Sequence, residues 1–180
     1  MLDVNVQRSG DILEYDAKLW GYDNTIWNTI SGTPSATGGK VRLNAAVIAT
    51  YQALRNCILQ MALNIPVAPT AGDVRVFGLY SPTLGNKGKI VFDITDTALT
   101  AKVYDEDGVV IDSKTIDWDS DWTAAETLFE IVVSERNVMF KIAGGIVARF
   151  DDVEVAKFPL NIYINNGNSD NLDIGAVKAW

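Results

Sequence analysis

The chain has 180 residues, 48% of them hydrophobic, with 15 basic and 23 acidic side chains and no histidine. Its net charge of −8 disfavours binding to nucleic acid or to an anionic membrane, and it holds no run of about 18 apolar residues to span a bilayer. Without histidine there is no serine–histidine or cysteine–histidine nucleophile and no histidine metal ligand, and a single cysteine, Cys57, closes no intrachain disulfide.

Residues 1–16 alternate weakly, with Leu2, Val4 and Val6 apolar and Ile12 following after Ser9-Gly10. They lack a basic stretch followed by an apolar one, so no secretory signal peptide is expected. The segment reads as an edge strand of the same domain or as an arm reaching a neighbouring subunit, and residues 17–180 read as one domain. Next comes an aromatic patch, Trp20, Tyr22 and Trp27, beside the turn-rich run Ser31–Lys40. Such rings either stack on sugars or cover one end of a core.

The stretch 41–65 contains good helix formers, yet Cys57, Leu59, Met61, Leu63 and Ile65 alternate with largely polar neighbours. Strands are therefore expected over 41–51 and 56–65, with Pro66 and Pro69 ending the second. Cys57 reads as a small buried hydrophobe. Further strands are expected at 73–80, 90–95 and 99–104. Asp105-Glu106-Asp107-Gly108 carries a two-residue hairpin signature. Asp117–Trp122, with two tryptophans among three aspartates, reads as a loop that either meets a ligand or tucks a ring onto the core.

The clearest pattern runs from Leu128 to Asn165. Phe129, Ile131 and Val133 share one face, Ser134–Asn137 turns the chain, Val138, Phe140 and Ile142 alternate, Gly144-Gly145 turns it again, and Leu160–Asn165 keeps a period of two. This is a β-meander. The polar loop Asn165–Asn171 and a last strand from Leu172 follow. About eleven to thirteen short strands, with no amphipathic helix, repeat or linker, predict an all-β sandwich or jelly roll.

The order of segments narrows this further. GDVRVFGLYSP precedes GKIVFDITD, then come FEIVVSERNVMFKIAGGIVARF and PLNIYINNGNSDNLDIGAVKAW. Over roughly residues 27–180, and most specifically over the last fifty, this resembles the concanavalin-A-like lectin and glucanase superfamily. The resemblance implies a jelly-roll β-sandwich of two curved antiparallel sheets. Fold alone does not choose among the superfamily's glucanases, lectins and virion proteins.

Retaining glucanases of this fold carry alternate carboxylates, E-x-D-x-E or E-x-D-x-x-E, on one strand facing a cleft, because retaining hydrolysis needs two carboxyl groups about 5 Å apart. In KIVFDITD, Asp93 matches the central aspartate, Val91 stands where the nucleophile belongs, and Asp96 falls in the turn. No enzymatic activity is therefore expected. A lectin-like module would bind a glycan through Trp27, Trp118, Trp122, Asn166 and Asn168. Asn166, Asn168 and Asp170 are also hard oxygen donors suited to a structural calcium, and they are equally the residues turns select. The leading expectation is a non-catalytic structural protein of a bacteriophage virion, a capsid decoration, fibre or tail component. It would form a homo-oligomer or join capsid or tail proteins through an arm built on Leu2, Val4, Val6 and Ile12. The alternative is the carbohydrate-binding module, extracellular or at a cell surface.

Overall fold

The computed structural model describes residues 13–54, 56–81, 88–153, 160–168 and 170–180. In chain order its strands begin with β1 (Leu13–Asp16), β2 (Trp27–Ser31), β3 (Ser35–Thr37), β4 (Lys40–Leu43), β5 (Ala46–Leu54), β6 (Ile58–Asn64), β7 (Val74–Tyr80) and β8 (Lys89–Thr95). They continue with β9 (Ala98–Tyr104), β10 (Val110–Ile116), β11 (Thr127–Val133), β12 (Val138–Ile142), β13 (Gly145–Phe150), β14 (Leu160–Asn166) and β15 (Leu172–Ala179). Two single helical turns, α1 (Ala17–Trp20) and α2 (Asp121–Ala124), interrupt them.

The strands form two antiparallel sheets. One runs β13-β12-β11-β6-β15-β4-β3, with β1 also beside β15, and the other runs β10-β9-β8-β7-β14-β5-β2. The chain crosses repeatedly between the sheets, with β7–β10 kept together in one and β11–β13 in the other, which is the jelly-roll arrangement expected from the sequence. Alternation explains the layers. Leu59, Met61 and Leu63 of β6, Phe129 and Ile131 of β11, and Phe77, Leu79, Ile90, Phe92 and Ile94 of the second sheet all point into one shared core. Phe77, Phe92, Phe129 and Phe140 meet there at centroid distances of 4.9 to 5.5 Å, within the range aromatic pairs favour.

Several expectations change in detail. The strand expected over 41–51 is two strands in different sheets. Ala45 takes a left-handed φ of 45° between them and its N–H donates to the Asn168 carbonyl at 2.8 Å, so the chain turns a corner while Leu43 and Ala46 both stay buried. The Asp105 turn has a three-residue loop: the Asp105 N–H donates to Val109 O, and Gly108 supplies the left-handed φ of 85° that such loops need. The glycine turn falls one residue earlier than read, with Ala143 (φ 49°) and Gly144 (φ 83°) at its centre and Gly145 already paired with Ile142. The loop at 117–122 includes the start of α2. Of the amino-terminal segment, Leu13–Asp16 pairs with β15 of the same sheet; Leu2, Val4, Val6 and Ile12 lie outside the described residues.

Candidate functional site

The seven-stranded sheet carries a second, smaller set of buried side chains on the face turned away from the core. Ala49, Tyr80 and Tyr163 cluster there, with Val47 and Val76 against them. Strand registers set the layout. One row crosses Tyr163, Gly78, Val91 and Lys102, and the next crosses Asn165, Val76, Asp93 and Thr100. A third joins Asn161, Tyr80 and Lys89, with the Lys89 ammonium 5.8 Å from the centre of the Tyr104 ring.

Gly78 has a role no other residue fills. Its φ is +147°, and a Cβ would fall 2.4 Å from the Ile90 carbonyl oxygen and 2.9 Å from Ile131 Cδ1. On the outer face its row is bare between Tyr163 and Val91. Tyr163 of this row and Tyr80 of the next meet on the same face, 4.7 Å apart between centroids.

Asp93 is the acidic centre of this face. Thr95 Oγ1 donates to its Oδ1 at 2.7 Å, Lys102 Nζ to its Oδ2 at 2.8 Å, and the Tyr104 hydroxyl to Oδ2 at 3.4 Å. It is only 8% exposed, and Val91 beside it is fully buried. Burial pushes the Tyr104, Tyr80 and Tyr163 phenols up from their ordinary values. Burial also pushes the Lys89 ammonium down, against the opposing pull of Asp93. The outward positions of β8 are Lys89, Val91, Asp93 and Thr95, so this strand presents one carboxylate. Asp96 sits in the following turn, where its Oδ1 accepts the Gly72 N–H at 2.7 Å.

A second feature is an open cleft of about 620 Å³ at the edge where β10 and β13 approach, lined by Lys114, Asp117, Trp118, Asp119, Trp122 and Val147 among others. Trp118 and Trp122 meet edge to face at 5.3 Å and both pack half-buried against the core. The sequence-stated pair is thus brought together. Trp27 is not with it: that ring is 1% exposed and lies edge-on to Tyr15 at 5.4 Å, with no face left for a sugar.

The asparagine loop joins neither feature. Asn166 is buried and its amide donates to the carbonyls of Leu43 and Asp170 at 2.8 and 2.7 Å. Asn168 Oδ1 accepts the Val74 N–H at 2.9 Å. These groups tie the loop to β4 and β7, and Asp170 adds its backbone carbonyl. Lys89, Lys102, Tyr104, Tyr80 and Tyr163 went unnoticed in the sequence. The period of two on β8 and β9, with the two-residue turn Asp96-Thr97 fixing register, carried enough signal to place Asp93 beside Lys102.

No protein-family model matches the chain, and no curated protein matches it by sequence. Solved structures do match. A Bacillus licheniformis β-glucanase aligns with TM-score 0.74 at 13% identity, over 96% of this chain and 99% of its own. The chain has the concanavalin-A-like jelly-roll fold. A laminarinase from Flavobacterium sp. aligns with TM-score 0.72 at 13% identity, over 93% and 98% of the two chains. The carbohydrate recognition domain of Emp47p aligns with TM-score 0.70 at 10% identity, over 92% of each. At these identities the likeness is one of fold. It nevertheless overturns two expectations. The concanavalin-A-like neighbours are mostly glucanases and transglycosylases, so the reading as a non-catalytic virion component gives way to its carbohydrate-binding alternative. The exclusion of enzymatic activity, drawn from Val91 alone, falls for the same reason. Among the described residues no helix is long and apolar enough to cross a membrane.

Proposed function

We propose that the chain binds an oligosaccharide across the outer face of the seven-stranded sheet. Asp93, Lys102 and Tyr104 would meet sugar hydroxyls, and Tyr80 and Tyr163 would form the apolar floor. One observation carries this reading: a carboxylate with three hydrogen-bond donors lies nearly buried on the side of the sheet that has no part in the core. Burying polar groups costs stability unless they are paired, and a shallow, semi-dry polar patch on an apolar floor is the composition of a ligand site. The fold neighbours named for acting on or recognising carbohydrate support the ligand class.

A glycan array spanning neutral β-glucans and acidic polysaccharides tests it. Wild type is expected to bind at least one class, with about tenfold loss in Asp93→Asn, the loss of one charge-assisted hydrogen bond. No signal on any glycan would overturn the reading. Reducing-sugar release is measured on the same ligands; release abolished by Asp93→Asn would place hydrolysis at this carboxylate. The tryptophan cleft supports a second reading, in which Trp118 and Trp122 stack on the sugar. Binding lost in Trp118→Ala with Trp122→Ala, and kept in Asp93→Asn, would move the site there.

A further inference from the structure

Resting on the oligosaccharide reading, we infer that the ligand is a uronate-bearing polysaccharide whose carboxylate pairs with Lys89 beside Tyr80 and Tyr104. Among the described residues of β7, β8, β9 and β14, the outer face holds two cations, Lys89 and Lys102, and one anion, Asp93, in a chain whose net charge is −8. Asp93 is committed to Lys102 at 2.8 Å. Lys89 makes no ion pair with any described residue; its ammonium lies 5.8 Å from the centre of the Tyr104 ring and feels Asp93 only at longer range. It is also half-buried and flanked across the strand by Tyr80. An ammonium held partly out of water with no carboxylate of the described residues in contact is unfavourable, and an arriving anion relieves that cost.

A neutral glucan offers hydroxyls to Asp93 and leaves Lys89 unmatched. A uronic acid carries its carboxylate directly on the ring carbon, within the footprint of the sugar. One sugar can then place hydroxyls toward Asp93 and Asn161 and its anion toward Lys89. Among the described residues of the face, Lys89 is the one charge without an ion pair, and one uronate carries one charge. A sulfate ester would project further from the ring on an added oxygen, away from a half-buried lysine.

Affinity electrophoresis and calorimetry on the full chain decide this, with polygalacturonate and alginate as probes. Their carboxyl-reduced, neutral counterparts, laminarin and carrageenan serve for comparison. The expected result is at least tenfold tighter binding of a uronate polymer than of its carboxyl-reduced form, an advantage that shrinks as salt rises. Lys89→Gln is expected to bring the two forms within about threefold, and Lys89→Arg to preserve the preference. Equal or tighter binding of the neutral forms, or of carrageenan, would overturn the inference and leave the oligosaccharide reading standing. Failure of every polymer to bind would sink both. If Lys89→Gln does not fold, the wild-type comparison between each polymer and its reduced form decides the question alone.

Discussion

The outer faces of the two sheets follow the same pairing rules and end in different states. On the eight-stranded sheet, Glu130 lies across from Gln60 and Lys141, accepting from Gln60 Nε2 at 2.5 Å and pairing with Lys141 Nζ at 2.6 Å. Its strands β6 and β12 alternate buried and half-buried residues without a break, as a sheet with one wet side should. On the seven-stranded sheet, Asp93 lies across from Thr100 with Lys102 one row away, yet β8 and β14 each carry five consecutive buried residues. The two carboxylate–lysine pairs are themselves shielded to nearly the same degree, with side-chain exposures of 10% and 24% at Asp93 and Lys102 and 12% and 28% at Glu130 and Lys141. What separates them is the company: buried Tyr80, Tyr163 and Ala49 share the face with Asp93, whereas half-buried Gln60 lies beside Glu130.

The largest expected effect tests that glycine. Gly78→Ala should cost about 3 kcal/mol, combining left-handed strain with overpacking against Ile90 and Ile131. Gly144→Ala, at a positive φ in a hairpin with open space around it, should cost about 1 kcal/mol. Thermal or urea unfolding reads both, and equal losses would remove the special status of Gly78. Next come the paired lysines. Lys102→Met and Lys141→Met should each cost about 1 to 2 kcal/mol, since both pairs are mostly but not fully shielded from water. Only Lys102→Met should also weaken polysaccharide binding, which titration against the best array ligand would show.

A smaller effect concerns pH. Burial raises the Glu130 pKa, but the hydrogen bonds from Gln60 and Lys141 and the charge of Lys141 outweigh it, and the net direction is down. A carboxyl with a depressed folded value adds stability above its unfolded value of about 4.3 and loses it as pH falls through the folded value. Glu130→Gln should therefore be less stable than wild type near pH 7, by about 1 kcal/mol, and the gap should close below pH 4 or so. A gap that widens in acid would reverse the assignment. Smallest of all, Arg149→Ala should leave the melting temperature unchanged. The pair with Asp151 is more than half exposed at both ends, and such pairs contribute little.

Strand content was legible in the sequence because alternation is a local signal: Leu59, Met61 and Leu63, or Phe129, Ile131 and Val133, announce their face without reference to any partner. The family-like order of segments carried the jelly roll. Turns were less legible. Asp105-Glu106-Asp107-Gly108 and Ala143-Gly144-Gly145 contain the right residues, but which one takes the positive φ depends on the register of the strands they join. Aromatic residues misled most. Trp27 and Trp118 look alike as letters, and one is sealed in the core beside Tyr15 while the other borders an open cleft. The exclusion of hydrolysis rested on one missing carboxylate at Val91, a single position that says nothing of the lysines and tyrosines gathered around Asp93.

By itself the sequence determined a layered β fold, since hydrophobic period and turn chemistry act over a few residues and need no distant partner. Only the tertiary structure decided that Lys89, Asp93 and Lys102 share a sheet face with Tyr80, Tyr104 and Tyr163. Those residues come from β7, β8, β9 and β14, and strand order across a sheet is fixed by long-range pairing that no local pattern encodes.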